Sequence, residues 1–99
     1  MNHSDFINNL QAQQMPEGLS VYLQSLWLDK KGDWGQAHGL IDSMAGKDAA
    51  WLHAYLHRKE GDLSNAGYWY RKAGKTQPDN SLEEEWDTLV HYFLEKDEG

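Results

Sequence analysis

The chain has no cysteine, so disulfides and thiol chemistry are excluded and the redox compartment is left open. It has only two prolines, and no run approaches the roughly eighteen apolar residues of a membrane span. Basic residues are also scarce, with 9 Lys and Arg against 16 Asp and Glu. The net charge of −7 argues against a general nucleic-acid binder, which needs a basic surface to meet phosphates, and against an anionic membrane surface. Nucleophile motifs are missing too. There is no Gly-x-Ser-x-Gly and no phosphate-cradling glycine loop, and Ser25, Ser43, Ser64 and His38 have no triad context. The opening MNHSDF lacks a basic-then-apolar secretory pattern, so a cytoplasmic location is expected. Neither an enzymatic activity nor a cofactor is expected.

What is present is apolar spacing at helical period. Ninety-nine residues with 39% hydrophobic content suit one folded domain. The spacing predicts an all-α fold with helices over about 4–13, 17–31, 33–45, 48–60, 62–75 and 81–96. Ser4 is the expected cap of the first helix, and residues 1–3 are expected to be loose. Pro16 suits the first turn of the second. Asp33 with Gln36 fits a capping box, Asp48 is the expected cap of the fourth helix, and Ser81 with Glu84 makes the clearest capping box in the chain. Gly35 and Gly39 weaken the third helix and suggest close packing or a cleft there. The last helix, with Leu82, Trp86, Leu89, Val90, Phe93 and Leu94 on one face, is expected to cap the end of a helical stack.

Trp51 to Ala73 holds most of the aromatic and basic character, in two helical segments that break at Gly61-Asp62. Glycine permits a left-handed helix end, and the aspartate accepts the free N–H groups of the helix that follows. A shift of 29 residues lays Gly32-Asp33-Trp34-Gly35-Gln36-Ala37 on Gly61-Asp62-Leu63-Ser64-Asn65-Ala66, and also Lys30 on Lys59, Leu26 on Tyr55 and Ile41 on Tyr70. Two αα-hairpins with equivalent corners are implied.

In these residues the chain resembles the tetratricopeptide-repeat family. Ala54, Gly61-Asp62, Ala66, Tyr70, Ala73 and Pro78 match the family's small, turn, aromatic and closing-proline positions; Gly32-Asp33, Ala37, Ile41 and Met44 match more loosely. The likeness covers about Leu19 to Asn80. It departs in its spacing of 29 against the usual ~34, in Ala50 where the first-helix tryptophan belongs, and in having only two units. The resemblance implies a short right-handed array of antiparallel hairpins and recognition of a protein or peptide by the first helix of each hairpin. The family's lysine and asparagine carboxylate clamp is replaced here by Tyr22, Leu26, Trp51 and Tyr55, so no such clamp is expected.

The expected function is noncatalytic protein or peptide interaction through Tyr22, Trp51, Tyr55, Arg58 and Lys59, by a monomer or weak homodimer. A second reading has the N-terminal helix covering these rings, with Arg58 paired to Asp29 or Asp62. The run Tyr68-Trp69-Tyr70-Arg71-Lys72 looks like an RNA-stacking element, but adjacent helical residues face different ways, and nucleic acid is not expected. The alternative function is a small-molecule-binding protein or metal-dependent enzyme centred on His53, His57 and Arg58. Two histidines four apart share a helix face, yet HAYLH lacks the glutamate of a helical metallohydrolase, and only Glu60 or His91 suggest themselves as further ligands. No metal is therefore assigned, and the histidines are expected to be structural or exposed.

Overall fold

The computed structural model describes residues 1–98, which form six α-helices: α1 (His3–Asn9), α2 (Val21–Lys30), α3 (Trp34–Ile41), α4 (Lys47–Lys59), α5 (Leu63–Lys72) and α6 (Leu82–Glu98). No strand occurs among the described residues, and none of their helices is long and apolar enough to cross a membrane.

The two glycine-aspartate corners repeat bond for bond. Gly32 and Gly61 have φ of 92° and 88°, a left-handed conformation that glycine adopts without a Cβ penalty. The N–H of Asp33 donates to Leu28 O at 2.9 Å and that of Asp62 to His57 O at 3.0 Å, while Gly32 and Gly61 donate to Asp29 O and Arg58 O at 3.0 and 3.1 Å. This paired closure satisfies the last carbonyls of α2 and α4. Asp33 Oδ1 then accepts from Gln36 N at 3.1 Å, and Asp62 Oδ1 from Asn65 N at 3.2 Å, which starts α3 and α5. The corners therefore turn α2 onto α3 and α4 onto α5, and α3 packs in turn against α4. Ala37, Ala54 and Ala66 are fully buried where the helices approach.

Several ends differ from expectation. Asn2, not Ser4, caps α1 in a reciprocal box with Asp5, so the helix already begins at His3. The helix expected from 17 starts at Val21, because Gly18 sits at φ 84° outside any helix and Ser20 Oγ accepts from Leu23 N. Gly46 stands at the start of α4 in place of Asp48, whose carboxylate instead accepts from the Tyr92 hydroxyl and from Lys96 Nζ of α6, both at 2.7 Å. Burial pulls the Asp48 carboxyl upward, but the bonds from Lys96 and Tyr92 outweigh it and hold it below its usual range. A Cβ on Gly39 would meet open space, and on Gly35 only Asp33 Oδ1 at 4.0 Å, so neither marks a close approach.

The last helix corrects a larger expectation. Rather than closing the end of the stack, α6 lies across α2 and α4, the first helices of both hairpins, and α1 lies on α6. Trp86 Nε1 donates to Leu26 O at 3.0 Å, and Phe6 meets the Trp86 ring at 6.0 Å between centroids. The core runs through this contact, from Leu23 and Leu26 through Leu52 and Leu56 to Leu89, Val90 and Phe93.

Candidate metal centre

The position of α6 decides where the aromatic stripe lies. Trp51 is 8% exposed and Tyr55 2%. The Trp51 ring meets Tyr92 edge-on at 5.2 Å and carries Lys75 Nζ over its face at 4.2 Å, while Tyr22 stacks on Phe93 at 4.5 Å. Arg58 bonds neither Asp29 nor Asp62; its Nη1 donates to Glu85 Oε1 of α6 at 2.9 Å, and its other arm reaches the Asn80 carbonyl. Asp29 takes instead the Tyr55 hydroxyl at 2.7 Å and Lys59 Nζ at 2.8 Å. Of the expected recognition face, Tyr22, Trp51 and Arg58 are thus engaged by α6 and not by α1, and Tyr55 is buried against Asp29, while Lys59 pairs with Asp29 but stays exposed. Burial first, then the neighbouring Asp29 carboxylate, pushes the Tyr55 phenol far above its ordinary range. Burial and the bond to Glu85 do the same to Tyr70. Neither phenol is poised for proton transfer near neutral pH.

A different constellation forms where α3 meets α4. His38 and Asp42 stand four apart at the end of α3, His53 and His57 four apart on α4, and this spacing puts each pair on one face. The packing of the two helices brings the faces together. One ring nitrogen each from His38, His53 and His57 lies within 4.8 Å of the other two. His38 Nε2 and His53 Nε2 are 2.8 Å apart, and each is 3.7 Å from Asp42 Oδ1.

The surroundings hold the rings in place. His53 stacks on Trp69 at 4.0 Å and His38 on Trp34 at 4.8 Å, and the Trp34 indole is itself fixed by its N–H bond to Leu56 O at 2.8 Å. His57 Nδ1 donates to Glu60 Oε1 at 2.6 Å, and its Nε2 lies 3.4 Å from the Asn65 amide. A carboxylate on the far nitrogen of an imidazole is the arrangement that orients metal-bound histidines. Burial first, then the neighbouring His38 and His57, lowers His53 to about 4 against the opposing pull of Asp42. At neutral pH His53 is therefore uncharged and available as a ligand.

The edges suit a small cation. Bonds of roughly 2.0–2.1 Å in a tetrahedron imply ligand-to-ligand edges of about 3.3–3.4 Å. The contacts of 2.8, 3.7 and 3.7 Å among His38, His53 and Asp42 bracket that value, so these three edges need to change by only about 0.5 Å, and the His57 nitrogen lies within 4.8 Å of those of His38 and His53. An imidazole-rich set with one carboxylate and no thiolate suits zinc, copper or nickel rather than magnesium or calcium.

The spacing along α4 marks His53 and His57, whereas His38 and Asp42 lie outside that helix and carry no signal in its pattern. Of the two further ligands considered, Glu60 supports His57 from behind, and His91 lies elsewhere, stacked on His3. The available signal was a second i, i+4 pair of ligand residues, His38 and Asp42, on the adjoining helix. Compared with known proteins, the chain matches no family model, no curated sequence and no solved structure.

Proposed function

We propose that the domain binds a divalent transition metal of the zinc class between its two hairpins, with His38, His53 and His57 as ligands and Asp42 as the fourth. The observation that carries this reading is the convergence of three ring nitrogens from two helices within 4.8 Å, two of the three rings being buried. The role is noncatalytic. The groove of about 760 Å³ lined by Trp51, Tyr70, Arg71, Lys75 and Asn80 includes none of these ligands, and Asp42, 3.7 Å from the His38 and His53 nitrogens, is at hand to fill the fourth position. The metal would instead fix the angle between the hairpins. We read those hairpins as two shortened tetratricopeptide-type units, on the equivalence of their corners; a partner could use the aromatic face only by displacing α6.

The test starts from protein stripped with chelator and then titrated with zinc by calorimetry. One tight equivalent is expected from this site, and it is lost in His53→Gln and in His38→Ala. At free zinc of about one hundred times Kd the gain is ~2.7 kcal/mol, a rise in Tm of roughly 10–20 °C. Should His53→Gln fail to fold, the more exposed His38→Ala and Asp42→Ala keep the test alive. Unchanged tight binding in both of those, or no saturable binding at micromolar zinc, would refute the proposal.

A further inference from the structure

A second ligand cluster joins the two ends of the described chain. His3, in the first turn of α1, lies face to face with His91 of α6, with ring centroids 4.0 Å apart and planes 2° from parallel. Asp87, one turn before His91, serves both rings: its Oδ1 contacts His3 Nε2, and its Oδ2 lies 3.9 Å from His91 Nε2. The three ligand atoms fall within 4.8 Å of one another although they come from positions 84 residues apart.

We propose that His3, Asp87 and His91 form a second, weaker divalent transition-metal site that staples α1 to α6. This inference is independent of the site between the hairpins. Two imidazoles and a carboxylate form the same borderline donor set. The exposed His91 ring has to turn out of the parallel stack to aim its in-plane lone pair at an ion shared with His3, and, as all three side chains are partly exposed, water completes the coordination sphere. The partial exposure of all three side chains leaves the site open to ions from solvent. The cation also has something to do there. α1 has only seven residues and one buried side chain, Phe6, far short of the length at which a helix is stable alone. Its capping box at Asn2 and Asp5 holds the first turn, which presents His3 to α6. A bond from His3 through the ion to two ligands on α6 adds the anchor that one phenylalanine does not supply.

The experiment uses the full chain, stripped and titrated with zinc. Wild type is expected to take up two equivalents, the second at least tenfold weaker. His91→Ala, a change at an exposed position, is expected to lose only the weaker one. The His38→Ala/His53→Gln variant is expected to lose only the tighter one, so the two proposals fail separately. Hydrogen exchange supplies the structural readout. Zinc is expected to slow exchange of the α1 amides in wild type and in His38→Ala/His53→Gln but not in His91→Ala. Retention of the weaker equivalent in His91→Ala, its absence from wild type, or α1 exchange indifferent to zinc would overturn the proposal and leave His3 and Asp87 an ion pair only.

Discussion

Glu85 is the residue whose removal should damage this fold most. Its side chain is 1% exposed and is surrounded by donors: Arg58 Nη1 at 2.9 Å, the Tyr70 hydroxyl at 2.7 and 2.8 Å from the two oxygens, and Trp51 Nε1 at 3.3 Å. Glu85→Ala deletes the carboxylate but leaves the Arg58 guanidinium, 13% exposed, without its counter-charge. Breaking one side of a buried pair costs about 3–5 kcal/mol, against a total of about 5–15 kcal/mol for a domain of this size. The expected result is a fall in Tm of roughly 12 °C or more, with a matching drop in the urea midpoint followed by tryptophan fluorescence. Most of the penalty comes from the stranded charge and not from the lost bonds. The double variant Arg58→Met/Glu85→Leu should therefore recover much of the stability, short of about 1–3 kcal/mol for the Tyr70 hydroxyl left unpaired. A Glu85→Ala variant within ~0.5 kcal/mol of wild type would show that α6 is not seated over α4 as described. Losses that simply add in the double variant would show that the two charges do not interact.

In metal-free protein, the folded chain refuses a proton at His53 until about pH 4, whereas the unfolded chain accepts it near 6.5. Because the unfolded state binds more protons in that window, stability is greatest above pH 6.5 and falls as pH drops toward 4, by about 2 kcal/mol between pH 7 and 5. His38 and Asp42 from α3, His57 from α4 and Trp69 from α5 surround the ring, and a denaturation series in which His53→Gln keeps the full pH dependence would assign the effect to another group. Gly32→Ala and Gly61→Ala should each cost about 1–2 kcal/mol, because each forces a left-handed alanine into space where its Cβ meets nothing. Equal losses in urea are expected from equivalent corners, and a loss at only one of them would sink that equivalence. Gly39→Ala, inside α3 with open space around it, should instead stabilise by about 0.5–1 kcal/mol, and a loss there would reveal a close contact.

How far the sequence carried the reading depended on the range of each interaction. The corners at Gly32-Asp33 and Gly61-Asp62 and the box at Ser81 and Glu84 close within a few residues, and they were legible because donor, acceptor and turn residue sit side by side. The apolar face of α6 was legible too, but its destination was not, since amphipathic spacing says that Trp86 and Phe93 are buried without saying against which helix. The same limit made Trp51 and Tyr55 look like an open surface: nothing near them in the chain announces Glu85 or Tyr92. The histidine cluster is not legible from α4 alone, because His38 and Asp42 belong to the neighbouring helix and its end.

The internal repeat explains why these long-range partners fall where they do. At the 29-residue shift Asp29 of α2 corresponds to Arg58 of α4, so the two hairpins hold opposite charges at one structural position, each mostly or fully buried. A buried charge is tolerated only with a partner of opposite sign. Asp29 draws its partners Tyr55 and Lys59 from α4, the first helix of the next hairpin. For Arg58 the next element after its hairpin is α6, and its carboxylate comes from there. The helix that follows the second hairpin thus supplies to Arg58 what α4 supplies to Asp29, and the same α6, docked through Trp86, Leu89, Val90 and Phe93, meets Trp51 with Tyr92.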